Sequence, residues 1–437
     1  MNKVSTASTR ALLFAAVAAF AIGLTAAAAA VQPSAPHLEV ARGFLAFLDP
    51  SPAGLTGNGR SCADCHMPTD QFQLSPASVE ARFQRLEAMR QVNPHADDPL
   101  FRPIDADDFR VNGDAARDYT TLREHALIRI TLPLPPNMRL IDPATNQPSD
   151  ETFVDVWRSV PTINDVALTG PGAGNPWFRE PNRFGGYQLD ARIGTLQEQA
   201  IGAFVNHAQV QSAPPQAVLD DLAAFQRAQF SSPRVRALAD AIAAGAAELP
   251  DPDLPLDPLE QQGKAVFQRA CAQCHGGPSE SAAAAPVIRY HDIVSQCPRP
   301  VDPQGRFAFA ACSPGLTRNA RTYEITIGAT KIRRTSSDPG RALLTGFVGG
   351  PAPQDDWNKF DVPSLRGLAR TAPYFHNNSA ATIEEVVDHY IEFFKRVEVN
   401  APPAGPVPPV ASTDGVHFDR RPAPEERAAL IAYLKRK

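Results

Sequence analysis

Apolar residues fall at three- and four-residue intervals in a series of separated stretches, the pattern of amphipathic helices. The spacing predicts helices over residues 38–48, 75–92, 195–207, 216–230, 258–270, 382–397 and 423–437. Ser75 stands where an N-cap belongs, with a hydroxyl that can accept a first-turn backbone N–H. Residues 93–158 are rich in Pro, Asp and Asn and hold one apolar run at 126–134, so they read as an elaborated loop region with room for a short strand pair. Residues 276–355 read as mostly loop, and 401–410 as a proline-rich excursion. The run Glu248-Leu249-Pro250-Asp251-Pro252-Asp253-Leu254-Pro255-Leu256-Asp257-Pro258 is a proline-stiffened linker. It divides the helices into two series, which predicts a mainly α chain with domains 31–247 and 248–437.

The first stretch is of another kind. Lys3 and Arg10 precede an apolar run over 11–24, and small residues over 26–30 offer a cleavage site near Ala30, the arrangement of an export signal. The run is short for a membrane span, so the expectation is an exported, soluble, periplasmic protein with no span in its mature form.

Composition narrows the class. A net charge of −5 over 437 residues points to neither nucleic acid nor an anionic membrane as partner. Proline, at 43 residues, is about twice its average share, yet 43% of residues are hydrophobic, so the chain is folded and loop-rich rather than disordered.

Two pentapeptides carry the chemistry: Cys62-Ala63-Asp64-Cys65-His66 and Cys271-Ala272-Gln273-Cys274-His275. Cys-x-x-Cys-His is the attachment pattern of c-type haem, in which two thiols add to the vinyl groups of one porphyrin and the His meets the iron. A zinc site would need a second ligand pair at suitable spacing, whereas each pentapeptide here is complete. The expectation is two covalently attached haem c groups, each preceded by a helix, in two cytochrome c-like domains with long connecting loops. Of the six cysteines, Cys297 and Cys312 are left over and are expected to pair in an oxidising compartment.

An internal repeat supports the two-unit reading. Val160-Pro161-Thr162-Ile163 and Val362-Pro363-Ser364-Leu365 follow the two haem motifs at similar distances, and each leads to a helix opening, Thr195-Leu196-Gln197-Glu198 and Thr382-Ile383-Glu384-Glu385.

The segment Val362-Pro363-Ser364-Leu365-Arg366-Gly367, with Thr371-Ala372-Pro373-Tyr374-Phe375-His376, resembles the C-terminal domain of bacterial di-haem cytochrome c peroxidases and their MauG-type relatives. Asp190-Ala191-Arg192 and Leu196-Gln197-Glu198-Gln199-Ala200 resemble the matching N-terminal segment. The likeness spans residues 37–437 and is looser over 93–187. It implies that the second haem takes electrons from a small donor protein, a c-type cytochrome or cupredoxin, and that the first meets hydrogen peroxide.

It also implies roles for single residues. Tyr390 falls where the peroxidases usually carry a ligating Met and MauG-type enzymes a ligating Tyr; His389, or no protein ligand, are the alternatives. A phenolate would stabilise ferric iron. In the first half Ala203 falls opposite Tyr390 and cannot bind iron, which leaves an open coordination position there. His207, one turn beyond, is a candidate iron ligand or distal hydrogen-bonding group. Glu198 matches the catalytic carboxylate that moves a proton between the peroxide oxygens, and Gln188 is a candidate pocket residue. Of Trp157, Trp177 and Trp357, Trp177 is the candidate relay between the haems. The resemblance admits a calcium ion held partly by the Thr371 and Pro373 carbonyls, and a homodimer.

The function expected is reduction of hydrogen peroxide to water with electrons from the small redox protein. The rivals are MauG-like oxidation of a protein side chain, favoured by Tyr390, and a di-haem electron carrier without turnover.

Overall fold

The computed structural model describes residues 35–106, 110–111, 114–115, 119–169, 186–272, 275–280, 319–349, 356–399 and 422–437. The export segment, Trp177, Cys274, Cys297, Cys312 and the 401–410 excursion lie outside the described residues.

The longer helices are α1 (Ala35–Leu48), α2 (Pro76–Val92), α3 (Leu196–Asn206), α4 (Gln216–Arg227), α5 (Pro233–Ala243), α6 (Pro258–Ala270), α7 (Ile383–Val399) and α8 (Arg427–Leu434). Their starts follow the local sequence. Ser75, Thr195 and Ser232 cap α2, α3 and α5 through their hydroxyls. Asp257 and Glu260 form a reciprocal capping box at α6, each side chain 2.8 Å from the other residue's backbone N–H. α5 is a helix that the apolar spacing did not single out.

Two helix crossings anchor the fold, and a glycine closes each. A Cβ built on Gly43 of α1 would lie 1.9 Å from the Asp221 carbonyl oxygen and 2.7 Å from Phe225 Cβ on α4. One built on Gly263 of α6 would lie 1.9 Å from the Ala429 carbonyl oxygen and 2.7 Å from Tyr433 Cβ on α8. In both crossings the contacts are four residues apart on the partner helix. The duplication seen in the sequence is therefore a duplication of packing.

A hydrophobic core surrounds each crossing. The first gathers Phe47, Leu55, Phe204, Leu219, Leu222 and Phe225, with Cys62 and Phe72 packed against it. The second gathers Phe267, Tyr374, Val386, Val387, Leu430 and Tyr433, with Cys271 and Tyr390 packed against it. Ile383, Val386, Val387 and Tyr390 are spaced to share one face of α7.

The expectation of a mainly α chain holds only in part, because the regions read as loop contain strands. β1 (Leu127–Pro133) pairs antiparallel with β3 (Phe153–Ser159), in a register that sets Ile130 opposite Val156. This is the short pair for which the 126–134 run left room. β2 (Met138–Leu140) pairs with β4 (Arg321–Ile327), which pairs with β5 (Thr330–Ser336), all antiparallel. This three-stranded sheet takes strands from both sides of the 248–258 linker. Its core, with Leu140, Val156, Tyr323, Ile325 and Trp357, belongs to both halves. Local periodicity cannot reveal such pairing, because the partner hydrogen bonds come from far along the chain.

Polar contacts fasten the same junction. The buried Arg158 guanidinium lies 2.6 Å from Asp190 and 2.6 Å from Asp338. The Ser159 N–H donates to the His376 carbonyl at 2.7 Å, and the Asp361 N–H to the Leu189 carbonyl at 2.7 Å. The linker itself is held at Asp253, which pairs with Arg366 and Lys437 at 2.9 Å each. Among the described residues no helix is long and apolar enough to cross a membrane.

Candidate functional site

Each haem motif presents its histidine in the same way. Cys62–Cys65 form one helical turn, with the Asp64 carboxylate accepting the Ser61 N–H at 2.7 Å. Arg82 fixes Asp64 from the side at 2.5 Å. His66 follows as the C-cap, its Nδ1 3.0 Å from the Phe72 carbonyl. In the second motif His275 Nδ1 lies 3.2 Å from the Glu280 carbonyl. A carbonyl can only accept, so each Nδ1 carries the proton and each Nε2 is left with its lone pair. The Pro161 and Pro363 carbonyls also bear on these rings, which gives the repeated Val-Pro element a physical task. Burial pushes His275 down to about 4, which keeps it neutral. Burial pushes the thiols of Cys62, Cys65 and Cys271 up to about 12, so they stay uncharged.

A cavity of about 250 Å³ opens beside the second motif. Cys271 and His275 stand on its wall together with Tyr390, and Phe267, Val387 and Leu430 supply apolar surface. A neutral imidazole with a free Nε2, a thiol and a phenol facing one mostly apolar space fit a covalently attached haem. Tyr390 belongs to this lining and His389 does not. The His389 ring instead packs on Phe375 at 4.4 Å, and burial pushes its pKa down to about 3.

The helix that carries Tyr390 has its copy in the first half. The Tyr187 N–H donates to the Ile193 carbonyl and the Tyr374 N–H to the Ala380 carbonyl, both at 2.7 Å. Gln188 and Phe375 follow with φ of 76° and 73°. The offset that carries Tyr187 onto Tyr374 carries Ala203 onto Tyr390 and Glu198 onto Glu385. Phe375 lines the second cavity, so Gln188 holds the equivalent place in the first unit.

Glu198 is exposed, and its N–H donates to Thr195 Oγ1 at 3.1 Å. The Glu385 N–H donates to Thr382 Oγ1 at 3.2 Å, and its carboxylate also folds back onto the Ala381 and Thr382 N–H groups at 2.5 and 3.2 Å. Glu198 makes no such capping bond.

His207 closes α3, with Nδ1 2.8 Å from Asp105 Oδ1. Asp105 is buried and also pairs with Arg60 at 2.8 Å, and Arg60 donates to the His207 carbonyl at 2.8 Å. His207 lies close enough to His66 that its charge adds to the burial that disfavours protonation of His66. Sequence reading missed Asp105 and Arg60, whose partners are distant in the chain; the place of Arg60 just before the first motif was the one available signal.

Trp157 packs against Leu127, and Trp357 meets Tyr323 edge-on at 5.4 Å, so both are core residues. Thr371 and Pro373 line the second cavity, and the carbonyl between them, that of Ala372, accepts Gln73 Nε2 at 2.8 Å. The described residues gather no carboxylate cluster there of the kind calcium takes.

No protein-family model matches the chain. Two curated relatives do: cytochrome-c peroxidase IdrP1 of Pseudomonas sp. (strain SCT), 30% identical over 139 residues, and cytochrome-c peroxidase IdrP2 of Denitromonas iodatirespirans, 29% identical over 133 residues. The aligned stretch spans about a third of each relative, 31% in both cases. Among solved structures, a MauG-like protein associated with microbial copper homeostasis is 19% identical, with 92% of this chain and 90% of that chain covered and a TM-score of 0.42. The diheme peroxidase BthA from Burkholderia thailandensis E264 is 16% identical, with 91% and 85% covered and a TM-score of 0.37. Over that stretch the curated relatives bear out the resemblance to cytochrome c peroxidases.

Proposed function

We propose that the chain is an exported di-haem peroxidase that reduces hydrogen peroxide to water, taking two electrons from a small donor protein and two protons from solvent. The units are 31–247 and 248–437, each with one covalently attached haem, held through Cys62, Cys65 and His66 and through Cys271, Cys274 and His275. Bound haem supplies the redox-active iron that this reaction needs.

The observation that carries the reading is the asymmetry of the duplicated helix start. Tyr390 lines the second cavity together with His275, whereas the equivalent place in the first half holds Ala203, a methyl group with no donor atom. The first unit is therefore the one open to peroxide, and the second the one that receives electrons. The uncapped Glu198 carboxylate takes a proton from one peroxide oxygen and returns it to the other. Gln188, in the place equivalent to the cavity-lining Phe375, orients the substrate. Asp105 accepts the His207 Nδ1–H and so aims Nε2, the second-sphere arrangement that orients histidine ligands.

Oxidation of a protein side chain is the second reading. It is favoured by Tyr390, since a phenolate in place of a thioether favours the oxidised metal.

The test is electron paramagnetic resonance of the oxidised, haem-loaded protein before and after one equivalent of peroxide, with donor-dependent peroxide consumption measured alongside. A high-spin ferric signal abolished by peroxide, with turnover, supports the peroxidase. Two low-spin signals indifferent to peroxide even after half-reduction would leave an electron carrier. Oxidation of a protein partner without any donor would favour the second reading.

A further inference from the structure

Asp361 sits at the joint between the two halves. Its N–H is bonded to the Leu189 carbonyl of the first half, and its carboxylate accepts the Val362 N–H at 3.0 Å and the Gly186 N–H. Two residues on, the Pro363 carbonyl bears on the His275 ring. Asp361 lines the second cavity, where it is the one acidic residue among the described lining residues, and those residues include no Lys or Arg.

The charged groups packed around it are engaged elsewhere. Arg158, at the end of β3, is bound by Asp190 and Asp338. Arg341 donates to the Asp190 and Ala191 carbonyls, Arg192 leans on Asp190, and Lys359 pairs with Asp356. Asp361 thus lines the cavity, and among the described residues its carboxylate has no ion-pair partner. Burial, which outweighs its two backbone hydrogen bonds, pushes its carboxyl up to about 7; Arg341 opposes the shift and Asp190 adds to it.

We propose that Asp361 binds a proton when the second haem gains an electron, so that electron uptake at that site is coupled to protonation. The inference rests on the reading that a haem occupies the second cavity. The balance is one electron from the donor to ferric iron, giving ferrous iron, and one proton from water to the Asp361 carboxylate. The added negative charge is cancelled where the described lining offers no Lys or Arg and burial, pushing His275 and His376 down to about 4, keeps both neutral. Asp190, Arg192, Arg158, Asp338 and Arg341 are already bonded to one another or to carbonyls.

The experiment is a spectroscopic redox titration of the haem-loaded full chain from about pH 5.5 to about pH 8.5, a window that brackets a carboxyl raised to neutrality. The second-haem potential of the wild type should fall with pH at a slope approaching 59 mV per unit, the value of a tenfold change for one electron. In Asp361→Asn the slope should flatten while the first-haem potential is unchanged. An equal slope in wild type and Asp361→Asn would overturn the proposal. Reduced-minus-oxidised infrared difference spectra of the wild type should show a protonated carboxyl band appearing on reduction. Its absence would overturn the proposal whether or not the variant folds. A haem count of one per chain, with the second cavity empty, would instead overturn the functional reading and this inference with it.

Discussion

Glu198 and Glu385 occupy the same step of one duplicated helix start, and only Glu385 uses its carboxylate to cap that helix. One position has become structural in the second unit and is free for chemistry in the first.

The pair can be separated by substitution. Glu198→Gln should lower donor-dependent peroxide turnover by roughly 10²- to 10⁴-fold, the usual contribution of a positioned proton-transfer group, with little change in thermal stability. Glu385→Gln should leave turnover within a few-fold and cost about 0.5–2 kcal/mol of stability as a weakened cap. Full turnover in Glu198→Gln removes the assignment.

Tyr390→Phe should alter the low-spin ferric signal of the second haem and raise its potential, because the phenol oxygen on the cavity wall is lost. His389→Phe should leave that signal in place, since His389 packs on Phe375 outside the lining. The reverse pattern would make His389 the ligand.

Gly43→Ala and Gly263→Ala should each destabilise the chain. Alanine gains up to about 1 kcal/mol in helix propensity, but overpacking costs about 1–3 kcal/mol, and here the new methyl meets a backbone carbonyl 1.9 Å away. Gly202→Ala is the control. Its Cβ would meet nothing nearer than 4.0 Å, so the propensity gain should appear undiminished as a higher unfolding midpoint.

Arg158→Met should cost about 3–5 kcal/mol at neutral pH, because it strands Asp190 and Asp338 without their buried cation. The acid limb of the stability curve should change as well. Burial raises the Asp338 carboxyl, but the Arg158 charge and hydrogen bond outweigh it and hold the group below its usual 3.8. A depressed folded-state pKa stabilises above the unfolded value and loses that contribution as pH falls through the folded one. Wild-type stability should therefore drop below about pH 4, and this drop should shrink in Arg158→Met when urea midpoints are compared across that range.

Much of the helical frame was legible in the chain. Ser75 caps where the sequence places it, and the helix over 258–270 begins and ends where its periodicity predicts. The strands were harder to read. Leu140 and Tyr323 are opposite one another in a sheet, yet they lie 183 residues apart and are flanked by proline-rich sequence. The candidate site divides in the same way. Cys62, Cys65 and His66 announce themselves by spacing, whereas Asp105, Arg60 and Asp361 belong to no motif and matter only through what they touch.

Short-range spacing encodes the chemistry: two Cys-x-x-Cys-His motifs, the amphipathic helices, and a duplicated unit in which Ala203 replaces Tyr390. Such features depend on residues within a few turns of each other, where covalent geometry fixes which side chains meet. Only the tertiary structure decided that Gly43 and Gly263 close equivalent crossings, that one sheet joins both halves, and that Tyr390 rather than His389 faces the cavity with His275. Those outcomes are set by packing and by the pairing of buried polar groups across long loops, which no local pattern records.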